Sequence, residues 1–249
     1  MSAAVRRVAL EPAYLLHHYA YRDSSRILEL LTHGHGRVSV FAAASRRAGS
    51  ALPALLQPFT PLLVSWSGRG EAGRLTGAER REGPPGLPPG QLMSGFYLNE
   101  LLIRLLPRQD PHAGLFEAYE RVLAALGDPG GEPARALRLF EKRLLEELGY
   151  GLELGRDVVH DRELAADRCY RYGLESGPVE VDGVAEGTLI FSGASLLSLG
   201  REELAEARSL GDARRLLRAA LDACLEGRGL RTREVMTAMR SRRGAGPGD

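Results

Sequence analysis

Apolar positions in the first eighty residues come in short runs that alternate with polar ones. Val38 and Val40 flank Ser39, and Val64 and Trp66 flank Ser65. A period of two marks a strand with one face buried, and turn-forming residues separate the runs, which predicts strands at 14–21, 26–32, 37–43, 62–67 and 74–78. His33-Gly34-His35-Gly36 joins the second and third as a tight hairpin, because glycine supplies the positive φ such turns need. Three strands in a meander, a long connection over 45–61 with an apolar patch at 52–56, and a last hairpin make the layout of a five-stranded OB-fold barrel. An SH3-like barrel is the rival architecture.

The period changes after Gly83-Pro84-Pro85-Gly86-Leu87-Pro88-Pro89-Gly90, a run that continues neither strand nor helix and so reads as a linker. Long apolar-periodic runs follow and predict helices at 91–106, 113–126 and 134–148, stopped by Pro107, Gly127 and Gly149. Leu92, Phe96, Asn99, Ile103 and Leu106 share one face of the first, and Leu98, Leu101, Leu102 and Leu105 fill another, so this helix is expected to be almost entirely buried. Residues 152–191 are irregular, with a possible strand at 187–191. Helical patterns return at 194–207 and 213–225, with a short last helix near 232–240. The expected class is α+β: an OB-fold barrel over 1–82, a linker over 83–90, a mainly α-helical domain over 91–243 and a frayed tail over 244–249.

Charge adds an asymmetry that the net value of +1 conceals. Residues 1–81 carry 11 basic and 5 acidic side chains, net +6; residues 82–227 carry 16 and 25, net −9; residues 228–243 carry 6 and 1, net +5. Basic ends around an acidic middle suit a nucleic-acid binder with a neutral or acidic scaffold, although arginine runs are also ordinary solvated surface. Hydrophobic residues at 44% and charged residues at 26% exclude a wholly disordered or collagen-like chain. No apolar run reaches the ~18 residues that cross a bilayer, and the first twelve residues lack a secretory core, so a cytoplasmic protein is expected. Cys169 and Cys224 are too few for a disulfide framework.

Catalytic and cofactor motifs fail on context. Gly68-Arg69-Gly70-Glu71-Ala72-Gly73 satisfies G-x-G-x-x-G, but no helix can follow to receive a phosphate, so it reads as a glycine-rich hairpin. His17/His18, His33/His35 and His160-Asp161 each offer two ligands at most, short of a zinc set. Cys169 has no histidine partner at a readable spacing, and Glu146/Glu147 beside Arg143 are surface charges. No catalytic residue, metal or cofactor is expected.

The constellation that carries chemistry is Arg22, Arg26, Arg37, Arg46, Arg47, Arg69 and Arg74, interleaved with Tyr14, Tyr19, Tyr21, Phe41 and Trp66. Guanidinium groups contact phosphates and exposed ring faces stack on bases, the combination that single-stranded nucleic acid needs. Phe41 and Trp66 are read first as barrel core, with base stacking the alternative. The adjacent Arg46 and Arg47 have no packing explanation, which makes their loop the foremost candidate. The seven arginines and Tyr21 are the expected nucleic-acid contacts.

These residues also carry a resemblance. Tyr21-Arg22-Asp23-Ser24-Ser25, Gly36-Arg37-Val38, Arg46-Arg47, Leu56-Gln57-Pro58-Phe59, Gly95-Phe96-Tyr97-Leu98-Asn99-Glu100-Leu101, Arg104-Leu105-Leu106-Pro107, Asp110-Pro111-His112, Leu115-Phe116, Tyr119, Phe140-Glu141 and Leu148-Gly149-Tyr150 resemble the bacterial RecO recombination mediators over about 8–150, with a weaker echo at Leu230-Arg231-Thr232-Arg233. The resemblance implies an OB barrel and a helical domain, binding of single- and double-stranded DNA, annealing of complementary strands, and cooperation with RecR to load RecA on DNA coated by single-strand-binding protein, in the nucleoid-associated cytoplasm. Many members bind zinc through four cysteines after the Leu-Gly-Tyr motif; only Cys169 stands there here, so no metal is carried over. An acidic partner tail ending in apolar residues, such as that of single-strand-binding protein, is matched to Arg231 and Arg233 beside Leu217 and Leu221. The alternatives are an RNA-binding OB protein and a metal-dependent phosphohydrolase built around His160-Asp161.

Overall fold

The computed structural model describes residues 6–21, 25–43, 52–69, 72–181 and 189–244, and falls into two compact units, Met1–Gly131 with Gly229–Asp249, and Glu132–Arg228. In the first, β1 (Arg6–Tyr21), β2 (Ser25–Thr32), β3 (Gly36–Ala42), the single-turn α1 (Leu52–Leu55), β4 (Leu62–Arg69) and β5 (Ala72–Arg80) form a closed barrel of order β1-β2-β3-β5-β4. β3 and β5 pair in parallel and every other neighbour is antiparallel, the closure expected of an OB-fold. The fold class is therefore the expected one. β1 is far longer than the predicted 14–21, because its first half pairs with β4 and its second with β2. Two partners at staggered heights are how a small barrel closes.

Alternation fills the barrel: Ala13, Leu15, Leu28, Leu30, Val38, Val40, Leu62, Val64 and Trp66 point inward as one core. Trp66 thus belongs to the core, with its ring against the backbone of Gly73, where a Cβ would approach it to 2.5 Å. Of the glycine-rich run, Gly68 and Arg69 end β4 and Ala72 and Gly73 begin β5, with Arg69 opposite Ala72.

After the Pro/Gly run, α2 (Leu92–Leu105) and α3 (Ala113–Gly127) pack in the same unit. Leu98, Leu101 and Leu102 are fully buried, but Leu92 and Phe96 are exposed, so α2 is less enclosed than its composition predicts. An apolar residue on a helix records what it can bury, not that a neighbour arrives to bury it. The chain between α2 and α3 is pressed onto the start of β3: Gln109 donates its N–H to the Arg37 carbonyl at 2.9 Å, and a Cβ on Gly36, whose φ is +65°, would meet the Asp110 carbonyl oxygen at 1.9 Å. Only glycine fits there.

The second unit contains α4 (Pro133–Glu147), five short strands β6 (Arg156–Asp157), β7 (Arg162–Glu163), β8 (Cys169–Gly173), β9 (Gly177–Val181) and β10 (Ile190–Ser192), then α5 (Gly193–Gly200) and α6 (Ala207–Cys224). The segment read as irregular is therefore a two-stranded ribbon, β6-β7, and a three-stranded sheet, β10-β8-β9. The continuous helix predicted over 194–207 stops at Gly200, and the left-handed φ values of Glu202 and Leu204, 61° and 46°, turn the chain before α6 begins. Ser192 caps α5 by accepting the Ser195 N–H.

The last helix, α7 (Arg231–Gly244), returns to the barrel's unit and packs on α2. Its N-terminal amides are received by a side chain of another helix: the Glu100 carboxylate accepts the N–H of Arg231 and of Thr232, each at 2.9 Å, and the Thr232 hydroxyl at 2.7 Å. Burial alone would raise the Glu100 pKa, but these Thr232 and Arg231 donors, with Arg104, hold it below the usual glutamate range. The frayed tail expected over 244–249 lies, beyond Gly244, outside the described residues.

Candidate nucleic-acid interface

The outer wall of the barrel divides into a covered and an open part. On the covered part Glu29, only 1% exposed, accepts hydrogen bonds from Ser39 Oγ at 2.6 Å, Arg37 at 2.9 Å and Arg108 at 2.7 Å. Arg37 also donates Nε to the Leu106 carbonyl at 3.0 Å. A carboxylate taken this far from water needs such neutralisation. Arg37, expected to contact DNA, is instead held inside this network with its side chain 12% exposed. Nearby, Tyr14 is buried against the Phe116 and Tyr119 rings and donates to Glu120, which also binds Arg81. Burial first, and then the Glu120 charge, push the Tyr14 hydroxyl pKa far up.

The open part begins in the second half of β1. The pairing registers put Tyr19 opposite Ile27, Ile27 opposite Phe41 and Phe41 opposite Arg74, one row crossing four strands. Paired residues share a face, and this row alternates with the core residues Leu28, Val40 and Trp66, so it points outward. Tyr19 and Arg74 are exposed, and Ile27 and Phe41 are half-buried. Tyr21, also exposed, sets its ring 5.3 Å from that of Phe41. The row continues from Arg74 through Ser67 to Arg7. At the same end of β1, His17 and His18 stack, and Arg26 is exposed. Partial burial, then the charge of Arg26 and the neighbouring His17, lower the His18 pKa, so its ring is neutral at pH 7.

The structure thus brings Tyr21, Phe41 and Arg74 together, with Arg26 exposed at the strand end, and removes Arg37. Arg22, Arg46 and Arg47 lie outside the described residues, and Arg69 ends β4 with its side chain outside them. Arg231 is exposed at the start of α7, while Arg233 lies over the Tyr97 ring at 5.6 Å. Leu217 and Leu221 are wholly buried along α6, which packs on α4 and α5 in the second unit, whereas Arg231 and Arg233 belong to the first. These two leucines are core, not the lining of an open pocket. His160 turns to Asp157 rather than to Asp161, with Nδ1 2.9 Å from its Oδ2. Asp157 also accepts the N–H groups of Val159, His160 and Glu180, and although burial would raise its pKa these donors hold it far below the carboxylate range. No group of three or more His, Cys, Asp or Glu stands together as metal ligands among the described residues, and no helix there is long and apolar enough to cross a membrane.

Sequence reading missed Arg7, which precedes the strand expected at 14–21, and Ile27, which as one apolar residue in an apolar run carries no mark of an outward face. It also missed Glu29, although a single acid in the apolar run Ile27-Leu28-Glu29-Leu30-Leu31 facing an arginine-bearing strand was the available signal.

Comparison with known proteins matches residues 7–83 to the model described as Recombination protein O N terminal, and 89–234 to Recombination protein O C terminal. The chain belongs to the RecO family of DNA repair proteins. It is 42% identical over 232 residues to the DNA repair protein RecO of Dechloromonas aromatica, covering 92% of this chain and 95% of the relative. It is likewise 42% identical over 234 residues to that of Nitrosococcus oceani, covering 94% and 95%, and 43% identical over 234 residues to that of Coxiella burnetii strain RSA 331, covering 93% and 99%. The N-terminal RecO match coincides with the barrel, and the RecO C-terminal match ends at Glu234 within α7.

Proposed function

We propose that this chain is a non-catalytic, DNA-binding recombination mediator that holds single-stranded DNA along the open wall of its barrel, binds duplex DNA, and anneals complementary strands. The observation that carries the reading is the row Tyr19–Ile27–Phe41–Arg74 with Tyr21 on Phe41, on the outer face of an OB barrel in a RecO-family chain. Tyrosine faces accept bases of any identity, and Arg74, Arg7 and Arg26, joined by Arg22, Arg46, Arg47 and Arg69, offer guanidinium groups to phosphates. Annealing requires that phosphate repulsion be screened while base edges stay free, which backbone contacts from arginine achieve. Cooperation with RecR, displacement of single-strand-binding protein and loading of RecA complete the proposed role, with the basic Arg231 and Arg233 region receiving the acidic tail of single-strand-binding protein. Such work belongs at the nucleoid.

The test is annealing of complementary oligonucleotides coated with single-strand-binding protein, with and without this chain. Acceleration that disappears in Tyr21→Ala/Arg74→Ala supports the reading; an unchanged rate with wild-type protein refutes it. Equal or tighter binding to RNA than to DNA of one sequence would instead favour an RNA-binding protein.

A further inference from the structure

Residues facing the barrel interior on β1 change parity along the strand. Ala13 and Leu15 lie in the core, so odd positions face inward in the stretch just before Leu16. In the second half His18 pairs with the core residue Leu28 and His17 with the outward Glu29, so even positions lie on the inner face of the sheet, where His18, past the packed core, is still exposed to solvent. The change happens at Leu16: Leu15 pairs with Leu30 and His17 with Glu29, leaving Leu16 as one extra residue in the register. A β-bulge of this kind leaves backbone groups unpaired and re-aims every side chain beyond it. Without it, the alternation of Ala13 and Leu15 would carry His17, Tyr19 and Tyr21 into the barrel interior.

The bulge is fastened from outside the sheet. Asn99 on α2, 2% exposed, donates its Nδ2 to the Leu16 carbonyl oxygen at 2.9 Å. Its Oδ1 in turn accepts the Tyr119 hydroxyl of α3 at 2.5 Å, fixing which end of the amide faces Leu16. Burial holds the Tyr119 hydroxyl in its protonated, donating form. A buried amide whose donor end meets the carbonyl of this extra residue, and whose acceptor end is held by a second helix, specifies that residue's position more tightly than apolar packing can.

We propose that Asn99 is a positioning residue for DNA binding: by pinning the Leu16 bulge it turns Tyr19 and Tyr21 outward to meet bases. This rests on the open barrel wall being the DNA-binding face. Two measurements separate the claims. Nitration of the free protein by tetranitromethane, mapped by mass spectrometry, reads the orientation of Tyr19 and Tyr21 against Tyr150, a 60% exposed tyrosine of the other unit. Binding of oligo(dT) reads function. In Asn99→Leu, and more mildly in Tyr119→Phe, which keeps the ring packing should the first fail to fold, nitration of Tyr19 and Tyr21 slows several-fold relative to Tyr150. Oligo(dT) affinity falls about tenfold, the value of one lost stacking contact. In a Tyr19→Ala/Tyr21→Ala background the same substitutions cost no further affinity, because they act through those rings.

Relative nitration unchanged in the folded variants overturns the positioning role, as does an affinity loss that adds in full to that of the tyrosine pair. If nitration slows as expected but Tyr19→Ala/Tyr21→Ala leaves oligo(dT) affinity intact, Asn99 does orient this wall and it is the DNA-binding reading of the wall that fails.

Discussion

Within its own length β1 runs from a sealed environment to an open one. Before Leu16 its outward Tyr14 is walled in by Phe116 and Tyr119 and hydrogen-bonded to Glu120. Beyond it the outward Tyr19 and Tyr21 stand 45% and 36% exposed. The residue types are alike, so composition does not distinguish them. The difference is that α2, α3 and the segment between them cover one part of the barrel wall and stop short of the other. On the covered part polar groups are matched internally, as Glu29 is by Arg37, Ser39 and Arg108. On the open part rings and the Arg74 guanidinium are left facing solvent, where a ligand can reach them. Three tyrosines of one strand therefore divide between holding the barrel to its helices and standing open to solvent.

The comparison breaks most visibly at Glu29. Glu29→Ala leaves the partly buried Arg37 without its carboxylate and is expected to cost about 3 kcal/mol of stability, the range for breaking a buried ion pair from one side. Urea unfolding should show it, while oligo(dT) affinity of the folded variant stays close to wild type; an affinity loss without destabilisation would place Glu29 with the open wall. Tyr19→Ala should do the reverse, lowering affinity about tenfold with little change in the unfolding midpoint. Arg74→Ala is expected to weaken binding to all sequences alike and to reduce the slope of log affinity against log salt by about 0.7, one phosphate contact on a single strand.

The smallest effect sharpens the boundary at the end of the open wall. The His18 pKa is lowered in the free protein by burial, Arg26 and His17, and a docked phosphate stabilises the imidazolium and raises it. Binding then takes up a proton, so affinity rises as pH falls below 7 and levels off once the free protein is protonated too. His18→Ala should flatten oligo(dT) affinity between pH 7.5 and 5.5; a slope that persists in the variant assigns the proton elsewhere.

The sequence determined the barrel and most helices, because strand and helix periods are local properties and the inward residues Leu28, Leu30, Val38, Val40, Leu62 and Val64 each obey theirs. It also carried the family, in motifs such as Asn99-Glu100-Leu101 and Asp110-Pro111-His112. The tasks of those motif residues were not legible. Asn99 reaches Leu16, 83 positions away, and Glu100 reaches Thr232, 132 away, so their hydrogen-bond partners exist only once the chain has closed on itself. Arg37 and Arg74 look equivalent as strand arginines, yet one lies under Leu106 and beside Glu29 while the other is exposed next to Phe41. Which side of a strand is covered depends on where a distant helix lands, and a one-residue bulge reverses every side chain after it while leaving the local pattern almost unchanged. Tertiary structure alone decided which of this protein's arginines and tyrosines face outward.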